Sequence, residues 1–264
     1  MRALAGDAER LLSLHHAAQP LILPNAWDVA SARAVERAGA AAIATTSSGV
    51  AEALGYADGE AIPPAEMFSA VARIAAAVTL PVTADLEAGY GLPAEELVRR
   101  LLGAGAVGLN LEDTDRSGDA PRLMDLAQAA ERIRGVRKAA DAAGVHVVIN
   151  ARVDSFLRGP GDADAQLEDA VLRSQAYLDA GADCIYPIWL TDVDAIARLV
   201  REVDAPINIL LRPGAPDAGK LAALGVRRIS VGGGLARHAL TVTEQLARRV
   251  VAGDGRALLE LGEG

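Results

Sequence analysis

Eight times along the chain a short apolar run is followed by a longer stretch with apolar residues at helical spacing. The runs are Leu21 to Pro24, Ala40 to Thr45, Leu80-Pro81-Val82 leading into Thr83 to Asp85, and Ala106 to Leu111. The second half adds Val145 to Ile149, Ala182 to Tyr186, Pro206 to Leu211 and Arg227 to Val231. Helices are expected over about 29–38, 65–77, 94–103, 125–143, 165–180, 192–203, 216–224 and 235–252, with one more before the first run, over 7–18. Strict strand–helix alternation implies a parallel sheet with helices outside it. Eight such units in 264 residues match a single (β/α)₈ TIM-type barrel spanning 1–264. An open doubly wound sheet fits less well, because no Gly-x-Gly-x-x-Gly follows the first run. Ala38-Gly39-Ala40, Ala104-Gly105-Ala106 and Ala180-Gly181-Ala182 punctuate the entries to the second, fourth and sixth strands.

The polarity of the runs is one-sided. Their C-terminal ends carry Asn25, Thr46-Ser47-Ser48, Asp85 and Glu87, Asn110 and Glu112, Asn150 and Arg152, and Asn208 with Arg212 nearby, while their starts are apolar or small. Active sites of such barrels lie at the C-terminal ends of the strands. Side chains alternate faces along a strand, so Asp85 and Glu87 share one face, as do Asn110 with Glu112 and Asn150 with Arg152. Asp85 and Glu87, followed by the turn-capable Gly89 and Gly91, form half of a site for a hard divalent cation; a solvated strand end is the alternative. Three acids and an arginine would then converge over the barrel axis. Mg²⁺ suits such an all-oxygen set.

Composition narrows the partners. The net charge of −9 and pI near 5.0 exclude the basic stripe that nucleic acid requires. No run is long and apolar enough to span a membrane, and no secretory leader is recognisable, which points to the cytoplasm. Cys184, the one cysteine, is read as core. His15, His16, His146 and His238 all lie away from strand exits, so a histidine base is not expected. Arg152 can grip a substrate carboxylate with its fork, or pair with Asp154 or another barrel acid. Ser47, Ser48 and Gly49 offer donors to an anion or form an ordinary turn. Gly232-Gly233-Gly234 reads as a tight turn rather than a phosphate loop. The polar segment from Thr114 to Arg122 is long for a strand–helix turn and is expected to act as a lid.

These motifs resemble the isocitrate lyase/phosphoenolpyruvate mutase family. The likeness runs from Leu23-Pro24-Asn25-Ala26-Trp27-Asp28 to the glycines after the eighth strand. Asp85-Leu86-Glu87-Ala88-Gly89-Tyr90-Gly91 is similar to the family's D-x-[DE]-x-G-[YF]-G signature, supported by Ser48-Gly49, Asp58, Leu111-Glu112-Asp113 and Asn150-Ala151-Arg152-Val153-Asp154. The resemblance implies a Mg²⁺-dependent enzyme acting on 2-oxo or 2-hydroxy carboxylates. It implies that Asp85, Glu87 and Glu112 hold the metal and its waters. Ser48, Gly49, Val50 and Arg152 would bind the substrate carboxylate, with Asp58 near the metal and Asn208 lining the pocket. It also implies a homo-oligomer, a dimer or a tetramer built from dimers that exchange the last helix. The segment after the fourth strand departs from the family: it lacks the cysteine, lysine and histidine of the lyases' K-[KR]-C-G-H loop, and Ile188 stands where they carry an acid. The expected activity is carbon–carbon lyase or decarboxylase chemistry through a pyruvate-type enolate, with Arg152, Ser48 and Asp58 as catalytic candidates. The alternatives are carbon–phosphorus chemistry on phosphoenolpyruvate or phosphonopyruvate, and a non-catalytic metabolite-binding barrel.

Overall fold

The computed structural model describes residues 2–254 and residue 256. Helix α1 (Arg2–His15) precedes the first barrel strand, which is split at Pro24 into β1 (Leu21–Leu23) and β2 (Asn25–Ala26). Then follow α2 (Val29–Arg37), β3 (Ile43–Thr45), α3 (Ser47–Ala53), α4 (Pro64–Ala75), β4 (Val82–Asp85), α5 (Ala94–Gly103) and β5 (Gly108–Glu112). A two-stranded hairpin, β6 (Thr114–Asp115) and β7 (Arg122–Leu123), leads to α6 (Leu126–Ala142) and β8 (Val148–Val153). The remainder is α7 (Ser155–Arg158), α8 (Ala163–Asp179), β9 (Cys184–Pro187), α9 (Val193–Glu202), β10 (Asn208–Leu210), α10 (Ala218–Ala223), β11 (Arg228–Ser230) and α11 (Gly234–Val251).

The parallel ladders form two arcs, β2-β3-β4-β5-β8-β9 and β1-β11-β10. The arcs meet at Pro24, where β1 runs into β2, and at a single parallel bridge between Ile185 and Ile207. The strand order is therefore that of a TIM-type barrel, assembled from two arcs rather than one unbroken ladder. Local signals explain the helix boundaries. Asp28 accepts from Ser31 N at 2.7 Å while its own N–H donates to Ser31 Oγ at 3.0 Å, a reciprocal cap that starts α2. Gly39, Gly105 and Gly181, the glycines of the Ala-Gly-Ala repeats, turn at φ of +89°, +81° and +104°, where residues with a Cβ are strained.

Alanine, valine, leucine and isoleucine fill the core, as the 3% aromatic content requires. Helix α1 closes the base of the barrel: a Cβ on Gly108 would lie 2.8 Å from Leu11 Cδ2. Among the described residues no helix is long and apolar enough to cross a membrane.

The elements differ from expectation in three places that bear on the site. Residues 47–50, expected as an exit loop, open helix α3. β4 ends at Asp85, and Glu87 sits at φ +49°, so Glu87 is not the next outward step of a strand. The lid segment contains a hairpin, not featureless loop, with Asp115 paired to Arg122 at 2.7 Å.

Candidate active site

The C-terminal ends of the strands surround a cavity of about 510 Å³, well within the usual range of small-ligand sites. Asp85, Glu87, Glu112 and Asp58 line it together with Arg152, Arg116, Ser47 and Ser48. The neighbouring strands set this up by register: Asp85 pairs with Asn110, Asn110 with Asn150, and Glu112 with Arg152. Each of these residues therefore stands beside its partner on the inward face.

Asp85 is held from two sides. Ser47 donates its backbone N–H and its hydroxyl to Oδ2, both at 2.9 Å, and Asn110 Nδ2 donates to Oδ1 at 3.2 Å. Glu87 reaches the same cavity through its left-handed turn, a backbone state that costs a non-glycine residue on the order of 1 kcal/mol. Two donors hold it there: Glu60 N–H on Oε2 at 2.8 Å and the Tyr90 hydroxyl on Oε1 at 3.1 Å. Burial, and then the negative charges of Asp85, Asp58 and Glu112, push the Glu87 carboxyl up to about 8. Burial raises the Glu112 carboxyl as well, against the opposing pull of Arg152 and Arg116.

Arg152 does not stand free. Its Nε and Nη2 grip Asp154 at 2.7 and 3.1 Å, and Nη1 forms an ion pair with Glu112 Oε2 at 2.5 Å. Of the two sequence alternatives for Arg152, the ion pairing with barrel acids, Asp154 and Glu112 together, is therefore the one present. Arg116 bridges two acids, 2.6 Å from Glu112 Oε1 and 3.6 Å from Glu87 Oε2.

Three expected ligand-binding residues lie off the cavity wall. Val50 is buried in the core, and Gly49 faces Trp27 and Ala236. Both sit in the first turn of a helix whose Ser47 and Ser48 face the cavity instead. Asn208 is fully buried inside the barrel, with both amide atoms lacking a protein partner. Ser48, Asp58, Asp85, Glu87, Glu112 and Arg152 are all brought to one cavity. Gly49 is needed for space: a Cβ there would lie 2.8 Å from Thr46 Cγ2 and 2.9 Å from Trp27 Cβ. Gly49→Ala is expected to cost about 1–3 kcal/mol, read as a lower midpoint in urea unfolding.

Sequence reasoning passed over Trp189, whose ring packs 3.6 Å from the Arg212 guanidinium at the cavity mouth, with Trp189 at φ +71°. It also passed over Arg158, Arg237 and Tyr186. A tryptophan after Pro187 and arginines in loops carry no periodic signal, and only the closure of the barrel brings them together.

Among the described residues no group of three His, Cys, Asp or Glu forms a ready metal cage. The residues nonetheless fit a hard dication. All the donors are oxygens, and the acids are crowded enough to raise one another. A positive group, Arg116, already bridges Glu87 and Glu112.

The model of the phosphoenolpyruvate phosphomutase family matches residues 11–251. An uncharacterised Mycobacterium tuberculosis (strain H37Rv) protein is 34% identical over 91% of this chain and 88% of its own. Oxaloacetate decarboxylase of Pseudomonas entomophila is 32% identical over 61% of this chain and 56% of its own. A Burkholderia cenocepacia J2315 crystal structure, provisionally named a phosphonomutase, is 40% identical with a TM-score of 0.85, covering 92% of this chain and 99% of that one. A phosphonopyruvate hydrolase solved with oxalate and Mg²⁺ shares the fold at 22% identity and a TM-score of 0.83, over 95% of this chain and 88% of that one. With its acids gathered at the strand ends and its sequence matched nearly end to end, the chain belongs to the phosphoenolpyruvate phosphomutase family, within the isocitrate lyase/PEP mutase superfamily.

Proposed function

We propose that this chain is a Mg²⁺-dependent lyase or decarboxylase that breaks a carbon–carbon bond of a small 2-oxo or 2-hydroxy carboxylate through a pyruvate-type enolate. One observation carries the reading: Asp85, Glu87, Glu112 and Asp58 meet Arg152 and Ser48 over a single cavity at the strand ends. Asp85, Glu87 and Glu112 would hold the metal, directly or through water. When bound, Mg²⁺ supplies Lewis-acid stabilisation of negative charge developing on the enolate oxygen.

The protein's own groups do the rest. Ser47 keeps Asp85 aligned, and the Ser48 hydroxyl would orient a carboxylate together with Arg152 once a bound cation takes the place of Arg152 on Glu112. With a 2-oxo diacid the distal carboxylate leaves as CO₂, its bond's electron pair passes to the 2-oxo group as an enolate, and a proton taken up from water completes the 2-oxo acid. With a 2-hydroxy acid the hydroxyl proton is lost, its carbon becomes the 2-oxo product, and the bond pair leaves on the other carboxylate fragment, which takes up a proton. Arg158, Arg212 and Arg237 also line the cavity, and among the described residues none of them pairs with a carboxylate. A substrate with a second anionic group would find a partner among these arginines. Arg212→Met is expected to raise KM about tenfold for a diacid while leaving kcat within about threefold, as expected for an anchor that binds ground and transition states alike.

Carbon–carbon chemistry is favoured because the lid's two cations are already engaged. Arg116 lies against Glu112 and Glu87, and Arg122 against Asp115. The 40%-identical phosphonomutase-named structure and the unpaired Arg212 support chemistry at phosphorus as the second reading. A coupled pyruvate assay over 2-oxo and 2-hydroxy diacids, with and without EDTA, tests the first, and phosphorus NMR on phosphonopyruvate tests the second. Pyruvate release that persists in EDTA contradicts the metal-dependent reading; silence in both assays with tight ligand binding supports a metabolite-binding barrel.

We further propose that α11 packs on a second copy of the chain in a dimer or tetramer. It exposes Leu235, Leu240, Val250 and Val251 and buries only Ala236 on its own barrel. Light scattering that reports a monomer would remove this part of the proposal.

A further inference from the structure

The base of the barrel holds a buried arginine that neither the cavity nor the family motif accounts for. Arg228 opens β11 and is 1% exposed. Among the described residues no Asp or Glu forms an ion pair with it. Burying a guanidinium without a carboxylate is costly, and an apolar residue would pack this position at less expense.

Its contacts point toward the cavity floor. Arg228 Nη2 donates to Asn110 Oδ1 at 3.2 Å, and Asn150 Nδ2 donates to the same oxygen at 2.8 Å. Two donors on one amide oxygen fix which way the amide faces. Asn110 Nδ2 must then point away from them, and it donates to Asp85 Oδ1 at 3.2 Å. Asp85 Oδ2 is occupied by Ser47, so the Asn110 contact is what fixes its other oxygen.

Below the guanidinium, Nη1 lies 3.3 Å from His15 Nε2. His15 Nδ1 lies 2.8 Å from the Leu11 carbonyl, which only accepts, so Nδ1 carries the proton and Nε2 accepts from Arg228. The imidazole is neutral and does not repel the charge above it. Arg228 is not required to fasten α1 to the barrel. Arg227, one residue earlier, already donates to the carbonyls of Ala17 and Ala18 at 3.4 and 3.1 Å, just beyond the end of α1.

We propose that Arg228 is a positioning residue for the metal-binding carboxylate of Asp85, acting through the side-chain amide of Asn110. The proposal rests on the magnesium reading above. Arg228 orients the amide, the amide orients Asp85, and the buried positive charge faces the acidic cavity from below. Groups that orient a metal ligand from behind typically change metal affinity 10–100-fold when removed.

The test is Mg²⁺ titration by calorimetry on the folded, intact chain. Arg228→Gln and Asn110→Ala are each expected to raise the Kd for Mg²⁺ about 10–100-fold. The double variant should be no weaker than the worse single one, because both break the same link. His15→Gln, which changes the lower side of Arg228 and leaves its contact with Asn110 in place, should keep the wild-type Kd within twofold. A lowered Tm with an unchanged Mg²⁺ Kd in Arg228→Gln overturns the proposal, as do fully additive effects. Should Arg228→Gln not fold, Arg228→Lys carries the test: it keeps the charge but loses the fork, and wild-type affinity in it is equally contrary. If Asp85→Ala itself leaves Mg²⁺ affinity unchanged, the magnesium reading falls and takes this proposal with it. If Asp85→Ala abolishes binding while Arg228→Gln does not, the link through Asn110 alone is wrong.

Discussion

Asp85→Ala is expected to abolish Mg²⁺ binding at millimolar concentrations and to lower kcat by about 10³-fold or more, roughly 4 kcal/mol of lost transition-state stabilisation. Of the three proposed ligands, Asp85 is the one that no arginine holds. Its oxygens meet only neutral donors, Ser47 and Asn110, so no positive side chain on it competes with an incoming cation. Glu112 has two guanidiniums against it, and Glu87 shares Arg116. The variant should fold, because Ser47 N–H lies in the first turn of α3 beside the cavity and can turn to water. Calorimetry with Mg²⁺ and the coupled pyruvate assay check both parts. Wild-type Kd and kcat in the variant would place the cation elsewhere.

Acid should destabilise the fold through His15 by up to about 5 kcal/mol. Burial, and then the nearby charge of Arg228, lower the His15 imidazole from 6.5 to about 3. The unfolded chain takes up a proton on His15 below pH 6.5, whereas the folded chain resists until about pH 3. Protonation therefore favours the unfolded state across that window. The stability tied to the neutral ring is fully present above pH 6.5 and is lost as pH falls toward 3, and at about 1.36 kcal/mol per unit the 3.5-unit gap gives the total. At pH 4 the loss is about 3 kcal/mol. Glutamine can reproduce both contacts, donating to the Leu11 carbonyl and accepting from Arg228, without titrating. Urea unfolding of wild type and His15→Gln at pH 7 and pH 4 isolates the effect. The wild type should lose about 3 kcal/mol more than the variant over that interval, and equal losses would show that the ring is protonated in the fold.

Much of this architecture was legible before any coordinates, for a physical reason. A parallel barrel is built from one repeated unit, so its period survives in a single sequence, and the turn glycines mark each return. The concentration of Asp85, Glu112 and Arg152 at strand ends was equally plain, since burial makes such groups costly elsewhere along a strand. Glu87 was placed on the correct side for the wrong reason. It reaches the cavity by a left-handed turn after the strand has ended, and alternation happens to give the same answer. The helix at Ser47–Ala53 was missed because serines and glycine read as a turn, although the same residues cap and start helices. Arg228 was not legible. Alternation puts it on the same face as Ser230, but whether an arginine can be buried there depends on His15, 213 positions away. Trp189 escaped for the same reason, since its contact with Arg212 joins loops that meet only when the barrel is assembled.

The acids at the mouth of the barrel are the centre of the account, and Mn²⁺ in place of Mg²⁺, located by anomalous diffraction from crystals grown with oxalate, examines them most directly. The expected result is one strong peak in the cavity within about 2.2 Å of an Asp85 oxygen, with Glu87 and Glu112 reaching it directly or through water and Arg116 withdrawn from Glu112. A peak outside this cavity, or none with Arg116 still bridging Glu87 and Glu112, would contradict it.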